Sequence, residues 1–511
     1  MSAPPTTIQG GDGRPRLSLA NLSKVPKACR PVIDPRDLEV RIVHLGIGAF
    51  HRAHQAAFTE DAIAISSEPW GICGVTQRSG DVVAQLAPQD GLYSLSVRDG
   101  SGEWLRVMGV VREVLWAKEQ TEQVLVRIAD PKVALVTLTV TEKGYQRDPA
   151  TGHLRASDPE VQADLGGRPP RTPIGQLVEG FARRAAGRSG GDAPLTVLSC
   201  DNLPDNGHAL GALVREYCAL RPGGGALMKW VESYVTFPSS VVDRIVPATT
   251  PEDRERVAET LGLEDRGAVV TEPFRQWVIE DRFAAARPRW ELAGATLTGR
   301  VAPYERAKLR LLNGAHSTIA YLGALAGYEF VADAAPRGSP IGEAARLLMA
   351  RDVVPTLEVP EGFDLVAYQD DILQRFQNPA ARYRTLQIAM DGSQKLPQRL
   401  LGTVAERRSQ GVLPVWAGLG VAAWARFVSA RRSDKGVPLV VDDPLDARIA
   451  KAVAGKESPR DVVDAVLGLE EIFPASLRED AALGEMLTEL VTRLGRGGAE
   501  QTVRELLREV T

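Results

Sequence analysis

Val-Arg-Ile-Val-His-Leu-Gly-Ile-Gly-Ala-Phe-His-Arg, residues 40–52, is the stretch whose reading decides the fold. Six residues of β-rich character end at Leu45, a Gly46-Ile-Gly48 turn follows, and a helix-like pattern runs on through Ala64. Strand, glycine turn and helix, in that order, open a dinucleotide-binding α/β fold. The glycines let the backbone turn tightly and approach a pyrophosphate, which sits at the helix N-terminus. Gly46, Gly48, Ala49, Phe50, His51 and Arg52 are therefore candidate cofactor contacts, with His51 standing where a third glycine is usual. An ordinary strand-to-helix turn can carry the same Gly-x-Gly.

The runs that follow suit a parallel sheet. Gly71–Val75 reads as a second strand, Val133–Val140 and Leu195–Ser199 as later, fully buried ones. Residues 91–115 alternate as an antiparallel insertion would. Leu195–Ser199 leads into Cys-Asp-Asn-Leu-Pro-Asp-Asn, residues 200–206, and polar residues at the carboxyl end of such a strand face the ligand crevice. Asn202 is thus a site candidate, although an Asx-turn would use the same residue. Asp243 and Arg244 interrupt an apolar run at 237–247, as a site or an internal ion pair would.

Beyond residue 300 the pattern turns helical, with runs at 339–350, 443–455, 460–473, 475–494 and 498–510. The expected organisation is an extended N-terminal arm over 1–35, an α/β domain over 36–300 and a mostly helical domain over 301–511. Neither a repeat nor a low-complexity segment is evident.

Composition narrows the function classes. A net charge of −4 over 511 residues gives no reason to expect nucleic acid or an acidic membrane as partner. Four cysteines (Cys29, Cys73, Cys200, Cys218) lack metal-ligand spacing and make a poor disulfide framework. With no apolar run near the roughly 20 residues that span a bilayer and no signal-peptide core, a reducing cytoplasmic setting is expected. Aromatic residues are 5% of the chain and do not cluster, which argues against a glycan-binding platform.

Lys-Leu-Arg-Leu-Leu-Asn-Gly-Ala-His, residues 308–316, carries the chemistry. Leu309, Leu311, Leu312, Ile319, Ala320 and Leu322 read as a buried helix. At about 100° per residue, Lys308, Asn313 and His316 fall within roughly 140° of one another, and Glu305 lies in the same arc. A desolvated lysine can be neutral near pH 7–8 or so and exchange a proton with an alcohol. A snorkelling lysine beside a core histidine is the other reading.

Together, Val43–His54, Ser199–Gly207, Val242–Pro247 and Lys308-x₄-Asn313-x₂-His316 resemble the polyol-specific long-chain dehydrogenases. That family includes mannitol 2-dehydrogenases and fructuronate reductases, the latter also called mannonate oxidoreductases. The resemblance implies a Rossmann-like NAD-binding domain, a helical substrate domain and an active site in the cleft between them. It implies metal-free hydride transfer between NAD and a sugar alcohol or sugar acid. Lys308 would be the acid/base, Asn202 and Asn313 oxyanion donors, His316 a substrate contact and Glu305 a proton relay. Asp243 would bind substrate.

Substrate and cofactor choice rest on finer differences. Residues 381–400 look like the fructuronate-reducing branch: Gln387 stands four residues before Asp391, where the mannitol branch is expected to place arginine. Arg382, Arg384 and Lys395 could meet a hexuronate carboxylate, or form a solvated basic face. Mannitol, arabinitol and sorbitol remain alternatives. NAD is the expected cofactor, with NADP possible because Arg78 follows the second strand and no acid appears before Asp81. Oligomeric state is not legible.

Overall fold

The computed structural model describes residues 13–99, 102–148, 151–187, 193–379 and 382–510. Residues 1–12 of the expected arm, and Ala381 at the head of the basic segment, lie outside them. The chain divides into two compact units, Met1–Val301 and Ala302–Thr511.

The first unit is built on a six-stranded sheet. Its strands are β1 (Glu39–Leu45), β2 (Trp70–Thr76), β5 (Val111–Trp116), β6 (Leu135–Leu138), β7 (Leu195–Ser199) and β8 (Val235–Thr236). They are ordered β5-β2-β1-β6-β7-β8, and every neighbouring pair is parallel. All seven residues of β2 and all five of β7 are buried, as strands covered on both faces must be. On one face Val43, Leu45, Val136 and Val197 pack in a cluster with Val124, Leu177, Phe181, Leu210 and Leu213 from three helices. On the other, Ile42, Ile72 and Leu135 meet Phe58, Trp277 and Trp290.

Two small sheets complete the unit. One is β10 (Val269–Thr271), β3 (Tyr93–Arg98) and β4 (Glu103–Met108); the other is β12 (Thr296–Thr298), β11 (Gln276–Glu280) and β9 (Ser240–Asp243). The 91–115 insertion therefore needs correction. β3 and β4 do form an antiparallel hairpin, but β5 leaves it and joins the main sheet parallel to β2. The helix after the glycine turn is also not continuous. It breaks at His54 (φ −115°, ψ −85°) into α1 (Ala49–Ala53) and α2 (Gln55–Ser66). Residues 13–35 are not a loose arm: Leu17 and Val25 are buried against Leu92, Val107, Leu261 and Leu263.

The second unit is helical. α3 (Ala302–Ala307) passes into a π-helical segment, Lys308–Asn313, and then into α4 (Gly314–Ala326). Among the described residues, two more π-helical segments occur, Leu348–Val353 and Pro397–Leu401. α4 packs on α5 (Val415–Ala430), and both are buried almost all round. Within Ala481–Val510, Gly498 leaves helical geometry (φ 77°, ψ 176°) and divides the stretch into two helices, close to the break expected between 494 and 498. Among the described residues, no helix is long and apolar enough to cross a membrane.

Candidate functional site

In the first unit the glycine turn is fixed by its neighbours. Gly46 and Ile47 donate to the Val75 carbonyl at 2.7 and 3.1 Å, and Gly48 donates back to the Gly46 carbonyl at 2.6 Å. Gly46 has φ +106°, and a Cβ there would lie 2.1 Å from the Thr139 carbonyl oxygen, so only glycine fits. A Cβ on Gly48 would meet nothing nearer than the Gly46 carbonyl at 3.8 Å, so that side of the turn is open. Gly74 supplies close packing of its own, since a Cβ there would sit 2.2 Å from Ile47 Cδ1.

The turn's polar side chains support it from within. His44 contacts Thr137 Oγ1 through Nδ1 (2.7 Å) and Thr139 Oγ1 through Nε2 (2.9 Å), while Thr139 Oγ1 donates to the Gly46 carbonyl at 2.8 Å. His51 stacks on His44 with centroids 3.4 Å apart. Arg52 is buried: it donates to the Gly48 and Gly267 carbonyls and lies over the Tyr93 ring. His51 and Arg52 therefore shape the turn from behind. Phe50 stacks on His54 at 5.1 Å, and Ala49 and Phe50 are half-buried.

Arg78 follows β2 and donates to Thr141 Oγ1 at 3.1 Å; Gln77 before it forms a reciprocal amide pair with Gln176 (2.9 and 3.2 Å). Asn202 is exposed on the loop after β7. Asn206 bolts that loop to β9, donating to the Asp201 and Ser240 carbonyls (3.0 and 2.8 Å) and accepting from the Ser240 amide (2.9 Å). Asp243, at the end of β9, is buried. Its neighbour Arg244 donates to the Ala53 and Glu272 carbonyls.

The second unit carries the rest. Lys308 is buried at 7% exposure, and Glu305, Asn313 and His316 are half-buried. The π-helical segment changes the geometry expected of this stretch. Five residues separate Lys308 from Asn313, which on an α-helix is about 140°. Bonds from i to i+5 put more residues in each turn and close that angle. A Cβ on Gly314 would lie 2.8 Å from the Arg399 carbonyl, so the segment's end is in close contact with the Pro397–Leu401 π-helical segment. His316 faces Phe376 and Tyr383, with centroids 5.0 and 5.4 Å away.

The basic segment separates into two environments. Arg384 is largely solvated and ion-paired to Glu329 at 3.3 Å. Lys395 is half-buried, with Nζ 3.7 Å from Asp391. Burial, reinforced by Arg399, lowers its pKa. Among the described residues, no group of three or more His, Cys, Asp or Glu could hold a metal ion. Sequence reading missed Asp201, Thr141, Tyr145 and Asn206, whose partners lie far away along the chain.

A doubly covered parallel sheet opened by a strand, glycine turn and helix, followed by a helical unit, defines a protein with a Rossmann-like dinucleotide-binding domain. The chain belongs to the mannitol dehydrogenase family: the family's Rossmann domain matches residues 40–292 and its C-terminal domain residues 300–494. It is 42% identical to the D-mannonate oxidoreductase of Escherichia coli over 95% of this chain and 99% of that one. It is 35% identical to a mannitol 2-dehydrogenase of Pyrenophora tritici-repentis over 95% of this chain and 85% of that one. A mannitol 2-dehydrogenase of Pseudomonas fluorescens, solved in ternary complex with NAD and D-mannitol, matches with a TM-score of 0.82 and 33% identity. That match covers 96% of this chain and 99% of the other.

Proposed function

We propose that the chain interconverts a sugar acid and its keto form by metal-independent hydride transfer with NAD, and that the reaction is D-fructuronate reduction to D-mannonate. The observation that carries the reading is Lys308, a buried lysine on a π-helical segment that also carries Asn313. The Gly46–Gly48 turn fits the cofactor, because its open side lets phosphate approach backbone amides. Bound nicotinamide supplies the hydride in reduction and takes it in oxidation.

The chain's own groups handle the proton and the charge. Lys308 gives a proton to the keto oxygen in reduction and removes it from the hydroxyl in oxidation. Asn202 and Asn313 donate hydrogen bonds to that oxygen, where negative charge develops. Glu305 relays the proton to solvent, and His316 and Asp243 hold neighbouring hydroxyls.

The test is Lys308→Ala, assayed with mannonate, mannitol, arabinitol and sorbitol beside NADH binding. Turnover should fall by about 10²–10⁴ while NADH still binds, and external amines should restore part of the rate. A loss under about tenfold at the pH optimum removes Lys308 from the acid/base role. Asn202→Ala and Asn313→Ala should each cost about 2.7–4 kcal/mol in kcat with little change in cofactor affinity.

A further inference from the structure

Thr141, just beyond β6, holds a conformation that β-branched residues rarely adopt: φ 64° and ψ 162°. That region belongs essentially to glycine, and a residue persists there only when its surroundings over-determine it. Asp201 supplies them. One carboxylate oxygen accepts from the Thr141 amide at 3.0 Å; the other accepts from the Val140 amide at 3.0 Å and the Tyr145 hydroxyl at 2.8 Å. Tyr145 is held in turn by Ser199 Oγ at 2.6 Å. The carboxylate after β7 thus grips the loop after β6.

Three candidate site elements converge on that grip. Thr141 Oγ1 accepts from Arg78 at the end of β2. Thr139, two residues earlier, donates to the Gly46 carbonyl of the glycine turn. Asp201 is itself peptide-bonded to Asn202. We propose that Asp201 is a positioning residue, which clamps Thr141 in a glycine-like conformation and so sets the glycine turn, Arg78 and the Asn202 peptide as one rigid edge. The clamp rests on the dinucleotide reading above, and its test keeps the two apart.

NADH binding to the full chain is followed by nicotinamide fluorescence, with urea unfolding in parallel. Failure of the unsubstituted chain to bind NADH sinks the dinucleotide reading; success leaves the clamp to be judged on its own variants. Asp201→Asn should weaken NADH binding by about tenfold or more, because Thr141 is released from a conformation it cannot hold unaided. In a Thr141→Gly background the same change should cost no more than about threefold, since glycine holds positive φ without a clamp. Equal losses in the two backgrounds would show that Asp201 acts independently of the Thr141 conformation, and would overturn the proposal. So would binding within about twofold of the unsubstituted chain in Asp201→Asn. If Asp201→Asn alone does not fold, the Thr141→Gly background still decides: a loss of about threefold or less supports the clamp, and tenfold or more overturns it.

Discussion

The imidazole of His44 lies flat on that of His51, with ring centroids 3.4 Å apart and planes 14° from parallel. Two cationic rings could not share that contact inside the fold. Burial drives the pKa of His44 down to about 3, and burial with His44 and Arg52 alongside takes His51 well below its usual value. His54, whose Nε2 donates to the Gln276 carbonyl (2.8 Å), is likewise pushed by burial to about 3. Folding therefore excludes protons that the unfolded chain binds below about pH 6.5. His44 and His54 then each remove about 1.4 kcal/mol of stability per pH unit as pH falls from there toward 3, and His51 acts in the same direction. Glu60 and Asp352 act oppositely: burial raises their pKa values to about 7 and 6, so the folded state takes up their protons first. The expected curve is shallow down to about pH 4.5 and steep below it, where the acids no longer compensate. His51→Phe should flatten the limb that opens below about pH 6.5 in urea denaturation, because one proton-excluding group is removed. An unchanged slope would mean that His51 titrates normally in the folded chain.

Gly46→Ala should cost far more than the loss of flexibility alone. The added Cβ must displace a backbone carbonyl that lies 2.1 Å from its position, and φ +106° is closed to alanine. NADH affinity should drop by at least about tenfold, with thermal stability falling too. Gly48→Ala, whose Cβ would meet no atom within 3.4 Å, should fold normally and weaken NADH only by crowding the phosphates. Equal stability losses in the two variants would contradict this division of labour.

Much of the scaffold could be read from the chain because its signals are local. The apolar runs at Trp70–Thr76 and Leu195–Ser199 are buried strands whatever surrounds them. β5 was misassigned because alternation looks the same in a hairpin and in a strand that crosses to another sheet. The π-helical segment at Lys308 was not legible either. Its leucines keep a helical pattern, and the segment it packs against, Pro397–Leu401, lies far along the chain. The Asp201–Thr141 contact joins residues 60 apart, and nothing in the local composition of either announces it.

Cofactor preference should turn on Arg78. The residue that could have replaced an acid at the end of β2, Gln77, is committed to Gln176. Among the described residues Arg78 is held only by Thr141 Oγ1, a neutral acceptor that a 2′-phosphate could supplant. NAD should be preferred, with measurable NADP turnover. Arg78→Ala should lower kcat/KM for NADP by about tenfold, a charge-assisted bond's worth, and change the NAD value little. An NADP preference beyond tenfold in the unsubstituted chain would reverse the assignment of NAD.

Substrate choice should depend on Lys395 and not on Arg384. Arg384 already has Glu329 at 3.3 Å and a side chain 66% exposed, so a carboxylate added there gains little over water. Lys395 differs: its nearest carboxylate, Asp391, is 3.7 Å away, and burial together with Arg399 disfavours its charged form. Asp391 and the Ile388 carbonyl at 3.5 Å compensate the ammonium only at long range, and a hexuronate carboxylate in direct contact would stabilise it further. A desolvated charge-assisted contact contributes about 1.5–3 kcal/mol, one to two decades in kcat/KM. Lys395→Met should therefore cut mannonate oxidation by about 10–100-fold and mannitol oxidation much less, collapsing any preference for the acid. Arg384→Ala should leave the mannonate-to-mannitol ratio within about twofold of its starting value. Gln387, standing where the mannitol branch is expected to carry arginine, predicts weak turnover of the neutral polyol in the unsubstituted chain. Mannitol or arabinitol used as efficiently as mannonate, with Lys395→Met leaving the ratio unchanged, would assign Lys395 a structural role and the chain a neutral substrate.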